Sequence, residues 1–468
     1  MAAPGPLDPF APAHRMAAAV AAREVSSLEL VDLHLERIAR DEKRVNAVVT
    51  LDAERARDRA RAADAALARG TSWGPLHGVP FTLKDAWCTA GVRTVVGSPE
   101  LANHVPDRDA TVCARLRVAG GILLGKSNTP TMASRPHTDN PVFGRTSNPW
   151  NLEHTAGGSS GGSCAAVAAG MSPLDVGSDM AGSIRMPAHL CGVYGIKPTA
   201  RRVSGAGHIP DPPGVPRSDR HLASGGPIAR SVADLALALE LLVGADGRDT
   251  EVPPVPWRKV AAVEPRALKV AFAATLPGVP ASQEIQDAVT AAARALEQAG
   301  ARVEERLPAA DFAQHRAAWL DFLRFGMFGI RDVVPPGTFT VPLSGETPRP
   351  GDLFRALHGR DQAIADWDAL LAEWDLFLCP AMPTTAPRHG APMVVDGAEI
   401  ESWRVDHMVY PFNFTGHPAM VIPAALGAGG LPIGVQLVGG RWRDEELCAA
   451  AAAVDRALGG FRPPPGSP

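Results

Sequence analysis

The sequence predicts an α/β fold in one large domain, and three observations support this. Short apolar runs bounded by glycine and proline alternate with segments whose apolar residues recur at helical spacing. The alternation has the same character on both sides of the stretch at 246–267, which is rich in proline and charge and is interpreted as a long surface connection. With 468 residues, 46% of them hydrophobic, the chain can bury a large core.

The N-terminal half begins with a helix whose start is marked by Ser26 and Glu29, a pair typical of a helix N-terminus. Its apolar face continues to about residue 40. The other elements predicted in this half are a charged helix at 52–69, a buried strand within 75–84, a helix at 108–119 and a strand at 121–124.

The C-terminal half continues the same alternation after the surface connection. The predicted strands are 268–274, 301–305, 376–380, 419–423 and 432–438. The predicted helices are 282–299, 310–331, 352–374 and 443–458. A proline-rich tail at 463–468 follows the last helix and is expected to be disordered.

The composition favours small-molecule chemistry in the cytoplasm. With 46 basic and 50 acidic residues, the chain predicts neither a nucleic-acid surface nor an anionic-membrane surface. No apolar run is long enough for a membrane span, and the N-terminus lacks a signal-peptide pattern. The six cysteines are far apart and have no zinc-like spacing, so we expect free thiols, no metal and no cofactor.

Two runs match the expressions of known motifs, but their sequence context does not favour either motif. The run 120–127 fits the P-loop expression, but its apolar centre predicts a strand and not a phosphate-binding loop. The run 158–162 fits the nucleophile elbow of α/β-hydrolases, with Ser160 as nucleophile and Asp375 and His407 among the candidate partners. No strong strand precedes that run as the elbow requires, so a His-dependent esterase using Ser160 is kept only as an alternative.

Ser183 and Lys84 are better candidates for a catalytic pair. Ser183 follows Gly182 at a predicted helix N-terminus, where free backbone N–H groups can stabilise an oxyanion. Only six of the 46 basic residues are lysines, and Lys84 ends an apolar strand, where burial would favour the neutral form that a base needs. The alternative for Lys84 is a salt bridge to Asp85 or another acid, and the residues alone leave both open.

Several segments together resemble the amidase signature family. The two serines Ser159 and Ser183 are 24 residues apart and Lys84 precedes Ser183 by 99, as this family arranges them. The similar segments cover most of the chain and include Lys84-Asp85, 157–162, 179–185, 191–199, 125–130, 140–144, 413–419 and 430–439.

The resemblance implies one α/β/α domain with a central mixed β-sheet covered by helices, over 1–462, with a catalytic core at about 70–245 and a variable substrate-lining region at about 305–412. It also implies a Ser-cisSer-Lys triad: Ser183 as nucleophile, Ser159 as bridging hydroxyl on a cis peptide, and Lys84 as neutral base. The implied oxyanion hole uses the N–H groups of Met180, Ala181, Gly182 and Ser183. Asp179 and Arg185 would anchor this loop, and Ser160 would support it or be an ordinary loop serine.

One departure from the family pattern bears on the oxyanion hole. The family commonly has two glycines before the nucleophile, where this chain has Ala181 and Gly182. Alanine tolerates a positive φ poorly, so Ala181 changes the oxyanion hole only if its position requires one.

The substrate pocket is predicted with less detail. Aromatic residues recur every three positions in the predicted helix 310–331, and they either wall an acyl or aryl pocket or form a packing stripe. The wall candidates are Trp319, Phe322 and Phe325 in that helix, with Met132 and Tyr194 elsewhere in the chain.

Three function classes follow from these residues. The first is a free-standing hydrolase of a small-molecule amide that releases ammonia or an amine. The second is the glutaminase subunit of a tRNA-dependent amidotransferase, although such subunits typically carry Gln where this chain has Met186. The third is a binding protein without catalysis. Such a protein would need none of Lys84, Ser159 and Ser183, so the presence of all three argues against this class. The sequence identifies neither the amide nor the oligomeric state, and a homodimer is left open.

Overall fold

The computed structural model describes residues 5, 7–209, 221–328, 349–400 and 407–466. Its helices are α1 Ala13–Ala21, α2 Ser27–Val45, α3 Ala53–Ala68, α4 Thr111–Val118, α5 Gly161–Ala168, α6 Arg185–Cys191, α7 Val232–Leu242, α8 Gln283–Gln298, α9 Phe312–Phe328, α10 Pro350–Glu373, α11 Tyr410–Phe414 and α12 Asp444–Leu458. Its strands are β1 Val48–Leu51, β2 Pro80–Lys84, β3 Ile122–Ser127, β4 Ser147–Asn148, β5 Asn151–Thr155, β6 Leu174–Asp179, β7 Tyr194–Lys197, β8 Ser224–Ala229, β9 Lys269–Phe272, β10 Arg302–Glu305, β11 Leu376–Pro380, β12 Met393–Val395, β13 Ala398–Ile400, β14 Ala419–Leu426 and β15 Pro432–Val438.

The centre of the fold is an eight-stranded mixed sheet in the order β10-β9-β11-β15-β14-β7-β8-β6. The three strands at one end run parallel and the remaining neighbours run antiparallel. A smaller sheet in the order β1-β3-β2 carries Lys84 at the end of its edge strand β2. The predicted α/β class with a mixed central sheet is confirmed.

Helices cover both faces of the large sheet. Val421 and Ile422 are neighbours in β14, yet they belong to different hydrophobic clusters, because successive side chains of a strand point to opposite faces. The cluster of Ile422 includes residues of α7, α8 and α12, and the cluster of Val421 includes residues of α5 and α6. The catalytic candidates lie beside α5 and α6.

Most predicted elements are present within a few residues of their predicted bounds. The start of α2 follows the predicted pattern: the Glu29 N–H donates to Ser26 Oγ at 3.1 Å, and the Ser26 N–H donates to the Glu29 carboxylate at 2.7 Å. The predicted helix 310–331 corresponds to α9. Residues 329–331 of the prediction lie outside the described part of the chain. Most of the run 120–127 forms the strand β3, Ile122–Ser127, and not a phosphate loop.

The elements without a prediction from sequence include α1, β1, β4, β5, α7, α11, β12 and β13. α1 has buried apolar residues at helical spacing, but most of them are alanines in a nine-residue helix with no side-chain cap, and β1 is a four-residue strand that is mostly not buried, so the signal of each is weak. No helix in the described ranges has the length and hydropathy needed to cross a membrane.

Candidate active site

Lys84 is completely buried at the end of β2. Its Nζ donates to Ser159 Oγ at 2.7 Å and to Ser178 Oγ at 3.0 Å. Asp85 has other partners. Its carboxylate accepts two backbone N–H groups and lies 3.8 Å from Lys126 Nζ. The alternative ion pair between Lys84 and Asp85 is therefore not formed.

Burial lowers the pKa of Lys84 from its usual 10.5 to about 7, because the ammonium form loses its hydration. The carboxylates of Asp179 and Asp175 oppose this shift only in part. A substantial fraction of Lys84 is therefore neutral near pH 7 and able to accept a proton.

The glycines around Ser159 let the chain pass close to neighbouring backbone. A Cβ on Gly158 would lie 2.6 Å from the Arg135 carbonyl oxygen, and one on Gly162 would overlap the backbone of Asn128. The peptide bond between Gly158 and Ser159 is cis, in agreement with the expectation from the resemblance. Ser159 Oγ, on this loop, accepts the hydrogen bond from Lys84.

Ser183 lies between the end of β6 and the start of α6, and it is partly exposed. The N–H of Ser160 donates to the carbonyl of Ser183 at 3.0 Å, which joins the two serine loops directly. The Ser160 hydroxyl donates to the Ser178 carbonyl at 3.3 Å. Ser159 and Ser183 are thus held on adjoining loops, with Ser160 supporting the junction.

The loop before Ser183 is shaped by Asp179. Its carboxylate accepts the N–H groups of Gly182 at 2.8 Å and of Ile184 at 3.0 Å. The N–H of Gly182 is therefore bonded to Asp179. This differs from its predicted place among the donors of the oxyanion hole. Within the described ranges, no hydrogen-bond acceptor takes the N–H groups of the three other predicted donors, Met180, Ala181 and Ser183.

The positive φ in this loop belongs to Gly182, at 98°, and not to Ala181. A Cβ on Gly182 would overlap the side chain of Val409 and come within 2.9 Å of Met186 Cγ. The departure from the family pattern at Ala181 therefore places no alanine in a left-handed conformation.

Asp179 and Arg185 form a fully buried ion pair, with Oδ1 and Nη2 2.9 Å apart. Burial alone would raise the pKa of Asp179, but the Arg185 guanidinium and its hydrogen bonds hold it well below its usual range. Arg185 also donates to Gln436 at 2.7 Å and to Asn413, whose amide donates to Asp179 at 2.9 Å. The predicted anchoring pair is thus part of a larger network.

Sequence reasoning did not assign Asn413 or Gln436 to the site. Both lie in segments that contribute to the resemblance, and their presence in these motifs was the only available signal. α11 and β15 bring them to Arg185 from more than 220 residues away in the chain.

The aromatic residues of α9 pack close to the loop at 180–183. Trp319 stacks on Tyr410 at 5.1 Å between ring centroids, and Phe322 meets Phe414 edge-on at 6.1 Å. Met180 and Ala181 pack against the same cluster. Trp319 and Phe322 are buried, as in a packing stripe, while Phe325 and Met132 are partly exposed on α9 and on the loop after β3.

Tyr194 is not a pocket residue. Its hydroxyl donates to Asp455 of α12 at 2.5 Å, and its ring packs in the cluster with the α12 side chains. The expectation that Tyr194 lines the pocket is wrong because its position in β7 directs the side chain to the sheet face covered by α12.

The proposed partners of Ser160 in a His-dependent triad are held by other groups. The Asp375 carboxylate accepts the N–H of Lys269 at 2.9 Å, and the His407 ring packs edge-on against Tyr410. Ser160 Oγ itself is buried and bonded to backbone. This arrangement gives no support to the esterase alternative.

Comparison with known proteins decides the family. A family model described as Amidase matches residues 29–325 and 348–448. The chain belongs to the amidase family. It is an amide-hydrolysing enzyme, and its membership of the amidase signature group is shown by the relatives below.

The similar proteins have different names. The chain is 35% identical to one of the subunits of the glutamyl-tRNA(Gln) amidotransferase of Moorella thermoacetica, over 95% of this chain and 96% of that protein. It is 33% identical to an acylamidase of Rhodococcus erythropolis, over 94% of each. The structure of a bacterial aryl acylamidase of the amidase signature family superposes with a TM-score of 0.81 and 29% identity, over 96% of each chain.

Proposed function

We propose that this amidase cleaves a small-molecule carboxylic amide through an acyl-enzyme on Ser183, with Ser159 and Lys84 moving the proton, and releases ammonia or an amine. The observation that carries the proposal is the 2.7 Å hydrogen bond between Lys84 Nζ and Ser159 Oγ, on a loop joined to that of Ser183. A lysine held partly neutral by burial is a suitable base for such a relay.

In the first step, Ser183 Oγ attacks the amide carbon and forms a C–O bond. Its proton passes to Ser159 Oγ while the proton of Ser159 passes to neutral Lys84. The negative charge that develops on the carbonyl oxygen is stabilised by the N–H groups of Met180, Ala181 and Ser183, which lie beside the nucleophile.

In the second step, the C–N bond breaks and the proton returns from Lys84 through Ser159 to the leaving nitrogen. This leaves an acyl ester on Ser183 and an amine or ammonia. A water then attacks the ester, gives its proton to the same relay, and releases the carboxylic acid as Ser183 recovers its proton. Atoms and charge balance without a cofactor.

The acyl-enzyme is tested with Ser183→Ala and Ser159→Ala. We expect both to abolish release of amine from a panel of aliphatic, aryl and peptide amides, with thermal unfolding close to that of the wild type. An activated aryl ester of the preferred acid should add the acyl mass to the Ser183 peptide of the wild type only. Near-normal turnover by Ser183→Ala, or acylation at another residue, would overturn the proposal.

A second candidate is the glutaminase subunit of an amidotransferase, because the chain is 35% identical to an amidotransferase subunit over nearly its whole length. Met186 favours the first candidate, since its buried apolar side chain packs beside Gly182 and offers no hydrogen bond to a glutamine carboxamide. The amide panel separates the two, because a glutaminase would hydrolyse glutamine and reject aryl amides.

A further inference from the structure

Two buried threonines bond the loop that carries Ser159. The Thr129 hydroxyl donates to the Ser159 carbonyl at 3.0 Å. The Thr138 hydroxyl donates to the Gly157 carbonyl at 2.9 Å and accepts the Gly161 N–H at 3.1 Å. Both threonines are almost completely buried, and no backbone N–H in the described ranges donates to either carbonyl. A threonine hydroxyl thus supplies each carbonyl with the hydrogen bond that a buried polar group needs.

One peptide group links Thr129 to the nucleophile. The Ser159 carbonyl and the Ser160 N–H belong to the same planar unit of the backbone. The carbonyl accepts from Thr129, and the N–H donates to the Ser183 carbonyl at 3.0 Å. Because the unit is planar, holding both of these groups limits its rotation. The Thr129 hydroxyl therefore bears on the positions of both serines.

The strand β3 connects Thr129 to the strand of Lys84. Ser127, the last residue of β3, stands opposite Lys84 in the parallel pairing of β3 with β2. The Ser127 hydroxyl is hydrogen-bonded to that of Ser163 at 2.8 Å. The end of β3 therefore contacts both the strand that carries the base and α5, the helix that follows the Ser159 loop.

Asn140 joins the two threonine segments. Its side-chain amide donates to the Thr129 carbonyl and to Asn128 Oδ1, both at 2.8 Å. Asn140 is buried and lies two residues after Thr138. The two threonines therefore belong to one hydrogen-bonded unit.

We propose that Thr129 and Thr138 are positioning residues of the proton relay, which hold the Ser159 loop so that Ser159 Oγ stays within hydrogen-bond distance of Lys84 Nζ. The proposal rests on the proposed function of Ser159 and Lys84. Each threonine acts through a carbonyl of the loop. Proton transfer needs a short distance, and a displacement of about 1 Å can lower a rate about 100-fold.

The Thr129 hydroxyl is tested with Thr129→Val, which keeps the shape of the side chain, and Thr129→Ser, which keeps the hydroxyl. In Thr129→Val, kcat for amine release should fall about 10- to 100-fold with KM close to that of the wild type, because the relay acts in the transition state and not in substrate binding. Thr129→Ser should recover most of this loss. A normal kcat in Thr129→Val, or equal losses in both variants, would overturn the proposal.

Thr146→Val is the matched control. Thr146 is equally buried, and its hydroxyl donates to the Asn46 carbonyl at 2.7 Å and accepts from the Asn128 side-chain amide at 3.0 Å. It bonds no residue of the loop 157–161 in the described structure. Thr146→Val should lower the thermal unfolding temperature comparably to Thr129→Val and leave kcat close to that of the wild type. An equal fall of kcat in both variants would refute the positioning role.

Crystal structures of the full chain measure the position of Ser159 directly. In Thr129→Val, the distance from Lys84 Nζ to Ser159 Oγ should increase from 2.7 Å to beyond about 3.2 Å, the upper limit of an ordinary hydrogen bond. In Thr146→Val it should not change. An unchanged distance in Thr129→Val would overturn the proposal.

Thr138 carries the same test if Thr129→Val does not fold. Thr138→Val removes the bonds to Gly157 and Gly161, so kcat should fall with KM unchanged, whereas Thr138→Ser should keep most of the activity. A normal kcat in Thr138→Val would contradict its role. If Ser183→Ala retains activity, the proposed function fails, while the distances in the crystal structures still decide whether the threonines hold the loop.

Discussion

The dependence of activity on pH provides a direct test of Lys84 as the base. Its pKa is lowered from 10.5 to about 7 by burial. At pH 7 about half of the enzyme then carries neutral Lys84, compared with roughly one molecule in 3,000 for a lysine that titrates at 10.5. Burial thus raises the concentration of active base more than a thousandfold.

The sign and size of the effect follow from this shift. Lys84 must be neutral to accept a proton, so kcat/KM should level off above pH 7 to 8 and fall as the pH decreases. The expected fall is about fivefold from pH 7 to pH 6 and about tenfold from pH 6 to pH 5. The assay is amine release at low substrate concentration between pH 5 and 9, with an amide that does not titrate in this range.

Lys197 supplies the control. It is also fully buried, and burial lowers its pKa to about 7, yet its Nζ donates to the Pro198 carbonyl and not to either serine. Lys197→Met should therefore retain the acidic limb if it folds, whereas Lys84→Met should be inactive at every pH. A kcat/KM that stays constant from pH 5 to 8, or a limb that disappears with Lys197, would refute the assignment of the base to Lys84.

Three further substitutions test the geometry of the site, each followed by thermal unfolding and kcat/KM. Gly182→Ala should cost about 2–4 kcal/mol and most of the activity, because a Cβ there has an unfavourable φ and overlaps Val409; wild-type stability would contradict the loop conformation. Asp179→Asn should cost about 3–5 kcal/mol, because it leaves the Arg185 charge buried without its partner; a smaller loss than for a surface Asp→Asn would count against the network. Tyr194→Phe should lower stability by about 1–2 kcal/mol and leave KM unchanged, since the Tyr194 hydroxyl bonds Asp455; a raised KM would indicate that Tyr194 does line the substrate pocket.

The parts of the site that sequence could predict are those with local signals. A lysine at the end of an apolar strand, in a chain where most of the other basic residues are arginine, indicates Lys84 independently of the resemblance. The alternation of strands and helices likewise predicted the α/β class.

Other features depend on contacts that no local pattern records. Asn413 and Gln436 reach Arg185 only because α11 and β15 pack against α6 and β6. The hydrogen bond from the Gly182 N–H to Asp179 depends on the rotamer of the Asp179 side chain. Tyr194 was misplaced because the face to which a strand residue points depends on the register of the finished sheet.

The network around Arg185 also has a consequence for the order in which the protein matures. Its contacts join residues 228 and 251 positions apart, so they close only after nearly the whole chain has been synthesised. Contacts of such high sequence separation form late, because the entropy of closing the intervening chain must be overcome first. A nascent chain that already contains Lys84, Ser159 and Ser183 still lacks the groups that hold their loop in shape. Hydrolytic activity should therefore first become available when the ribosome has released the C-terminal segment.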